Sequence, residues 1–334
     1  MDSRTFEDFR LDSNIKYPPF ATEYFEKYFY NYMLKRSIYI QNYIPVFWTE
    51  ASHRHEKLNE LQQKLDDLPR DKSYFTVVQH SLGLQKRVPS NTYVFSMGQS
   101  EGIPLPLTYE NPTLFEQYKN NDKDIFCSFV GADTHLIRRM LVTEFIKYPD
   151  VVCSIDSWTN EISNNKQTLF LDVTSKSKFT LAPRGFGKTS FRLYEALKLG
   201  SIPVYVYDEP WLPYTELIDW NKFVVLAHIN ELPSLYARLK QITDTEYQAM
   251  LSYYKEHEHL FTFEGMSEYV INTFTQTPSE AQCALPPIPE PTTSLHTESS
   301  SSQSPSVPHT PHSGRYSLSD SLRRVSRTSY TRPS

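Results

Sequence analysis

The sequence predicts an α/β protein built on parallel sheet, and three observations carry that prediction. Residues 179–220 read as a strand, a glycine turn, an amphipathic helix, a second strand and a proline-rich loop. Strand and helix patterns alternate along 17–150 and again along 151–275, as layered α/β chains require. The 334 residues are 39% hydrophobic and 14% aromatic, which suits two cores of ordinary domain size.

The helix of the 179–220 block is the clearest element. Leu193, Ala196, Leu197 and Leu199 share an apolar face at helical spacing, while Glu195 and Lys198 point elsewhere. Gly200 is placed to end the helix in a left-handed turn. The run Ile202–Tyr207 is β-branched and aromatic and reads as a buried strand. Strand, helix and strand within about thirty residues make a right-handed βαβ unit. Upstream, the patterns predict helices at 22–36, 52–66 and 134–147 and strands at 38–41, 44–48, 74–79, 92–96 and 125–130. Downstream they predict strands at 151–154, 179–182, 202–207 and 222–226. The downstream helices fall at 168–175, 189–199, 231–240, 244–259 and 265–274. The aromatic stretch 17–33 reads as a helix whose rings serve a core. Residues 1–16 read as a loose lead-in. Residues 276–334 are rich in Pro, Ser and Thr and cannot bury enough apolar surface to fold.

Ligands of a parallel sheet sit outside the carboxyl ends of its strands, where the Gly185–Ser190 loop lies. A helix beginning near Thr189 offers unpaired amides and a positive dipole end to a phosphate. Arg184 and Arg192 supply guanidinium groups for its oxygens. Glu195, one turn into the helix, can accept hydrogen bonds from both hydroxyls of a ribose. An ordinary i, i+3 ion pair accounts for Arg192 and Glu195 equally well at this level. The stretch Ala182–Thr189 also fits a permissive phosphate-loop pattern with Lys188 as its lysine. Pro183 and Arg184 stand where flexible residues usually wrap the phosphates, and the motif comes late for an NTPase sheet.

The segments PRG at 183–185, TSFRLYEAL at 189–197, SIPV at 201–204 and PWLPYTELIDW at 210–220 resemble the donor-binding half of the exostosin family. IPVFW at 44–48, YFTVVQHSLG at 74–83 and CSFVGADTH at 127–135 with Ile137 and Arg138 are similar to its N-terminal half. The resemblance covers about residues 20–275. It implies a GT-B fold, with two Rossmann-like halves facing a cleft. It implies an inverting glycosyltransferase that carries a sugar from a UDP-sugar to a glycan or glycoprotein hydroxyl, with no metal cofactor. The donor site then comprises Arg184, Gly185, Thr189, Ser190, Arg192 and Glu195. The halves fall at 17–150, on the acceptor side, and 151–275, on the donor side. A non-catalytic glycan-binding protein on the same scaffold is the other reading.

An inverting transfer needs a general base for the acceptor hydroxyl. Strand ends of the first half offer Glu50, His53, His80, Glu101 and Asp133, with His80, Glu50 and Asp133 the leading three. His53 and His55, two apart on a predicted helix, do not share a face, which argues against zinc. Asp122 and Asp124 precede their strand instead of ending it, where a metal motif belongs.

A net charge of −5 argues against a nucleic-acid partner. Three cysteines do not make a disulfide framework. The polar start MDSRTFEDFRLDSN contains no signal-peptide core or membrane anchor. The expectation is a cytoplasmic protein instead of a Golgi-anchored one. The tail carries Arg323-Arg324-Val325-Ser326, a basophilic kinase pattern in a stretch that otherwise reads as a solvated basic segment, open to partners.

Overall fold

A computed structural model describes residues 3–10, 18, 20–52, 57–98, 102–118, 121–159 and 161–276. The tail reading and the candidates His53 and Glu101 lie outside them. The architecture is α/β, with two parallel sheets. The first sheet runs β1 (Tyr74–Val78), β2 (Thr92–Ser96), β3 (Ile103–Pro104) in that order. The second has five strands: β4 (Ile125–Ala132), β5 (Val151–Asp156), β6 (Ser177–Leu181), β7 (Ile202–Tyr207) and β8 (Val225–His228). Their order is β5-β4-β6-β7-β8.

That order corrects the expected division at 150. β4 pairs in register with β5, Cys127 opposite Val151, and with β6, Cys127 opposite Phe179. The strand therefore belongs to the second sheet and not to the first. The predicted strand 38–41 is absent. Residues 44–47 carry no strand; Tyr43 makes a single bridge to Phe75 before α2 (Trp48–Ser52) begins. Residues 3–9 are no loose lead-in: Phe6 and Phe9 are buried against Ile44, Val46, Trp48 and Leu65.

α1 (Phe25–Lys35) buries Phe25, Phe29 and Met33, so its aromatic face is core, as read. It packs with α10 (Phe263–Gln276), which crosses back onto the first sheet. There Phe274 packs tilted against Phe75, with centroids 4.4 Å apart, and Tyr269 meets Phe95 edge-on. The stretch 151–275 is thus not one separate half. In the second half α5 (Leu136–Phe145) and α8 (Leu232–Gln241) cover β4, β6 and β7 with Ile137, Leu141, Phe145, Leu235 and Leu239. α7 (Phe191–Lys198) follows β6 and ends as predicted. Gly200 adopts φ +69°, its N–H donates to Leu197 O, and Ser201 N–H donates to Ala196 O.

One buried acid joins three elements of the first half. Glu26 of α1 is fully buried. Its Oε1 accepts from Gln79 N–H at 2.8 Å, just past β1, and from Thr49 N–H and Oγ–H at 3.2 and 2.9 Å, at the start of α2. Burial, with the Glu50 carboxyl adding to it, raises Glu26 from 4.5 to about 7. The folded state therefore holds this proton more tightly than the unfolded chain. Stability contributed at low pH is lost as pH rises from about 4.5 to 7, by about 3 kcal/mol. Glu26→Gln keeps the Oε1 acceptor and loses the charge. We expect it to flatten the melting temperature across pH 5–8 and to melt higher than the parent at pH 8. An unchanged pH profile would contradict this.

Candidate donor-binding site

A cavity of about 180 Å³ opens where the carboxyl ends of β4, β5 and β6 meet the first half. The chain moves outward from β4 to β5 and then returns to β6 on the other side of β4. The gap between β4 and β6 is therefore the switch point of the sheet, where open parallel sheets hold their ligands. Two helix N-termini converge there, α5 after β4 and α7 after β6. His135 caps the first, its Nδ1 accepting from Ile137 N–H at 3.3 Å. Burial and the neighbouring Arg184 and Arg138 charges lower the pKa of His135, which keeps its ring neutral enough to accept. Ser190 caps the second, its Oγ accepting from Arg192 N–H at 3.4 Å.

Five of the six predicted donor residues line the cavity: Gly185, Thr189, Ser190, Arg192 and Glu195. Arg192 Nε donates to Val130 O at 2.7 Å, and its guanidinium lies over the Phe129 and Phe170 rings. Gly131 makes this possible, since a Cβ there would meet an Arg192 nitrogen at 2.1 Å. Glu195 is 7% exposed and takes a hydrogen bond from Tyr109 OH at 2.8 Å. Burial raises its pKa, while Arg192, Tyr109 and Lys198 pull the other way. Lys198 is held by Thr108 Oγ at 2.7 Å and by Tyr109 O, and burial lowers it to about 8. The 108–109 segment, which leads from the first sheet to the second, therefore fixes Glu195 and Lys198 of α7.

The sixth residue departs from expectation. Arg184 does not line the cavity; it forms a two-oxygen ion pair with Asp208 at 2.9 Å, and its Nε donates to Gly187 O at 3.1 Å. Its place as the second guanidinium is taken by Arg138 of α5, which is 4% exposed. Arg138 Nε donates to Arg184 O and its NH1 to Ala132 O, both at 2.8 Å, so it bridges the ends of β4 and β6. Its NH2 reaches Ser190 Oγ at 3.4 Å. Arg138 and Arg192 both line the cavity, which therefore has two guanidinium groups in its wall. The loop amides contribute less than expected: Gly185 N–H is already given to Thr189 O at 3.0 Å.

The phosphate-loop reading fails on geometry. Lys188 pairs with Glu209 at 2.6 Å, and the loop carbonyl of Gly187 is turned to Arg184. Of the three leading base candidates, none lines the cavity. Asp133 is paired with Arg139 at 2.9 Å. Glu50 is buried in the first turn of α2 beside Glu26, not in a loop at a strand end. His80 follows β1, and its neighbour Ser81 lines the cavity. The turn is pressed against both halves: a Cβ on Gly187 would meet Ser81 O at 2.4 Å, and one on Gly98 would meet His80 O at 2.6 Å. Asp156, at the end of β5, lines the cavity and was not anticipated; it pairs with Lys166 at 3.1 Å. Among the described residues no group of three or more His, Cys, Asp or Glu side chains is gathered in one place. No helix among them is long and apolar enough to cross a membrane.

Several known proteins are similar to this chain. A probable glycosyltransferase of Arabidopsis thaliana is 26% identical over 196 residues, 58% of this chain and 33% of its own length. A probable β-1,4-xylosyltransferase of the same plant is 32% identical over 82 residues, 25% of this chain and 20% of its own. The chain thus spans a third or less of the length of these relatives. A solved glycosyltransferase of avilamycin A biosynthesis aligns with 80% of this chain and 93% of its own at 13% identity, with a TM-score of 0.39. Residues 69–242, more than half of the chain and the whole of the β4–β6 switch point, match the Exostosin GT47 domain, and the chain belongs to that family.

Proposed function

We propose that the chain is a glycosyltransferase that takes its sugar from a UDP-sugar and passes it to a hydroxyl of a glycan, with inversion and without a metal ion. The observation that carries this reading is the pairing of Arg138 and Arg192 with the buried acid Glu195 around one cavity at the switch point. The two guanidiniums suit the charge of a diphosphate, which grows on the leaving group as the glycosidic bond breaks. Ser190 Oγ and the N-terminus of α7 add neutral donors. Glu195, held by Tyr109, accepts from the ribose hydroxyls. We assign the base to the 80–81 turn of the first half, with His80 as the proton acceptor, because Ser81 of that turn reaches the cavity. The name of one matched relative, a probable β-1,4-xylosyltransferase, supports the transfer of a sugar.

The test is thermal. UDP at about a hundred times its Kd, in EDTA, is expected to stabilise the chain by about 2.7 kcal/mol. For a folded region of this size that is a rise of roughly 5 °C. No shift with millimolar UDP, or one that appears only with magnesium, would contradict the proposal. Sugar transfer detected by mass spectrometry separates an enzyme from a glycan-binding scaffold.

A further inference from the structure

The cavity has an apolar rim that the nucleotide reading leaves unused. Trp158, in the loop between β5 and α6 (Asn164–Ser175), is 40% exposed, and Phe186, in the loop after β6, is 47% exposed. Their rings meet nearly perpendicular, with centroids 5.6 Å apart. Edge-to-face contact holds both rings in place, yet each keeps much of its surface in water. Single exposed aromatics need no explanation, whereas two in contact at the mouth of a polar cavity do.

Their position along the cavity selects an occupant. Glu195 marks the ribose end, about one turn up α7 from Ser190. Phe186 follows Gly185 directly, and a Cβ on Gly185 would lie 3.2 Å from Arg138 NH2. Running from Glu195 past the guanidiniums, the next surface is therefore Phe186 with Trp158. In a UDP-sugar the group beyond the second phosphate is the sugar. A pyranose has a face of C–H bonds that suits the negative face of an aromatic ring and a rim of hydroxyls. Polar groups for that rim stand beside Trp158, namely Ser157, Thr159 and the Asp156–Lys166 pair.

We propose that Trp158 and Phe186 form the platform on which the pyranose of the sugar nucleotide lies; this rests on the nucleotide reading above. The chain carries its own probe. Of four tryptophans, Trp48, Trp211 and Trp220 are buried at 3, 8 and 3% exposure, so a ligand on the rim is read by Trp158 emission. The experiment titrates the full chain with UDP and with the UDP conjugates of xylose, glucuronic acid, N-acetylglucosamine, galactose and arabinose. It follows fluorescence and calorimetry for the parent, Trp158→Ala, Phe186→Ala and Trp158→Phe. At least one sugar nucleotide is expected to blue-shift the parent emission where UDP does not. Trp158→Ala and Phe186→Ala should weaken that nucleotide tenfold or more and UDP less than twofold. Trp158→Phe should keep the affinity and lose the signal. Equal loss for UDP and its sugar conjugate would place the base on the rim and overturn the platform, as would unchanged affinities in both alanine variants. Absence of UDP binding by the parent chain would overturn the nucleotide reading and the platform with it.

Discussion

Arg138→Ala is expected to abolish UDP binding and to lower the melting temperature by about 5–9 °C, the larger of the effects in the donor half. The side chain bridges two strand ends, with Nε on Arg184 O and NH1 on Ala132 O at 2.8 Å. Truncation leaves both carbonyls without that donor and opens space beside Phe129, whose ring the guanidinium faces at 5.9 Å. Hydrogen bonds from a charged group contribute about 1.5–3 kcal/mol each, so a loss of about 3–5 kcal/mol is the reasonable scale. Binding fails for a second reason. Arg192 alone would then meet the diphosphate, and one charged contact of two is gone in a site where little water screens the pair. Arg138→Lys should not rescue, because a single ammonium cannot span two carbonyls and a phosphate in the plane a guanidinium uses. Calorimetry at a temperature where the variant stays folded separates the two effects. Undiminished UDP affinity in folded Arg138→Ala would remove this residue from the site.

Arg138 also shows why part of the site was hidden in the sequence. Its role depends on β6 lying next to β4, with Cys127 opposite Phe179 about fifty residues later, and that pairing leaves no local trace. The signal that was available is compositional. Arg138 shares the i, i+3, i+4, i+7 stripe with Leu141, Val142 and Phe145, and an arginine on an otherwise apolar stripe needs a reason. Arg184 failed in the opposite direction. A basic residue in a glycine turn reads as a phosphate ligand until Asp208, at the end of β7, is brought alongside it. The division at 150 failed because alternating helices and strands do not say which sheet a strand joins. Glu50 failed because IPVFW has strand composition, yet only Tyr43 bridges to β1 and Trp48 already opens a helix. By contrast α7 and its Gly200 stop were legible because each depends on contacts within one turn.

Replacing Glu195 should cost UDP about a hundredfold or more in affinity, and the loss should fall to about tenfold when the ribose lacks its 2′-hydroxyl and keeps only the 3′-hydroxyl bond. Two hydrogen bonds from a diol to a buried carboxylate, at about 1.5–3 kcal/mol each, set that scale. Glu195→Gln is the better variant, since its Oε1 can still accept from Tyr109 and the fold is spared. Burial raises the pKa of this acid. Its charged form is therefore lost at a higher pH than for an exposed glutamate, and the preference for UDP over 2′-deoxy-UDP should fall as pH is lowered. Tyr109→Phe removes the 2.8 Å bond that fixes Oε1, in a ring otherwise packed on Phe115 and Phe191. It should weaken UDP by roughly tenfold and 2′-deoxy-UDP by clearly less, a split that a purely structural tyrosine would not produce. Because both residues act on the same hydroxyls, the double variant should lose little more than Glu195→Gln alone. Additive losses in that cycle, or equal losses for the two nucleotides, would place the ribose away from Glu195.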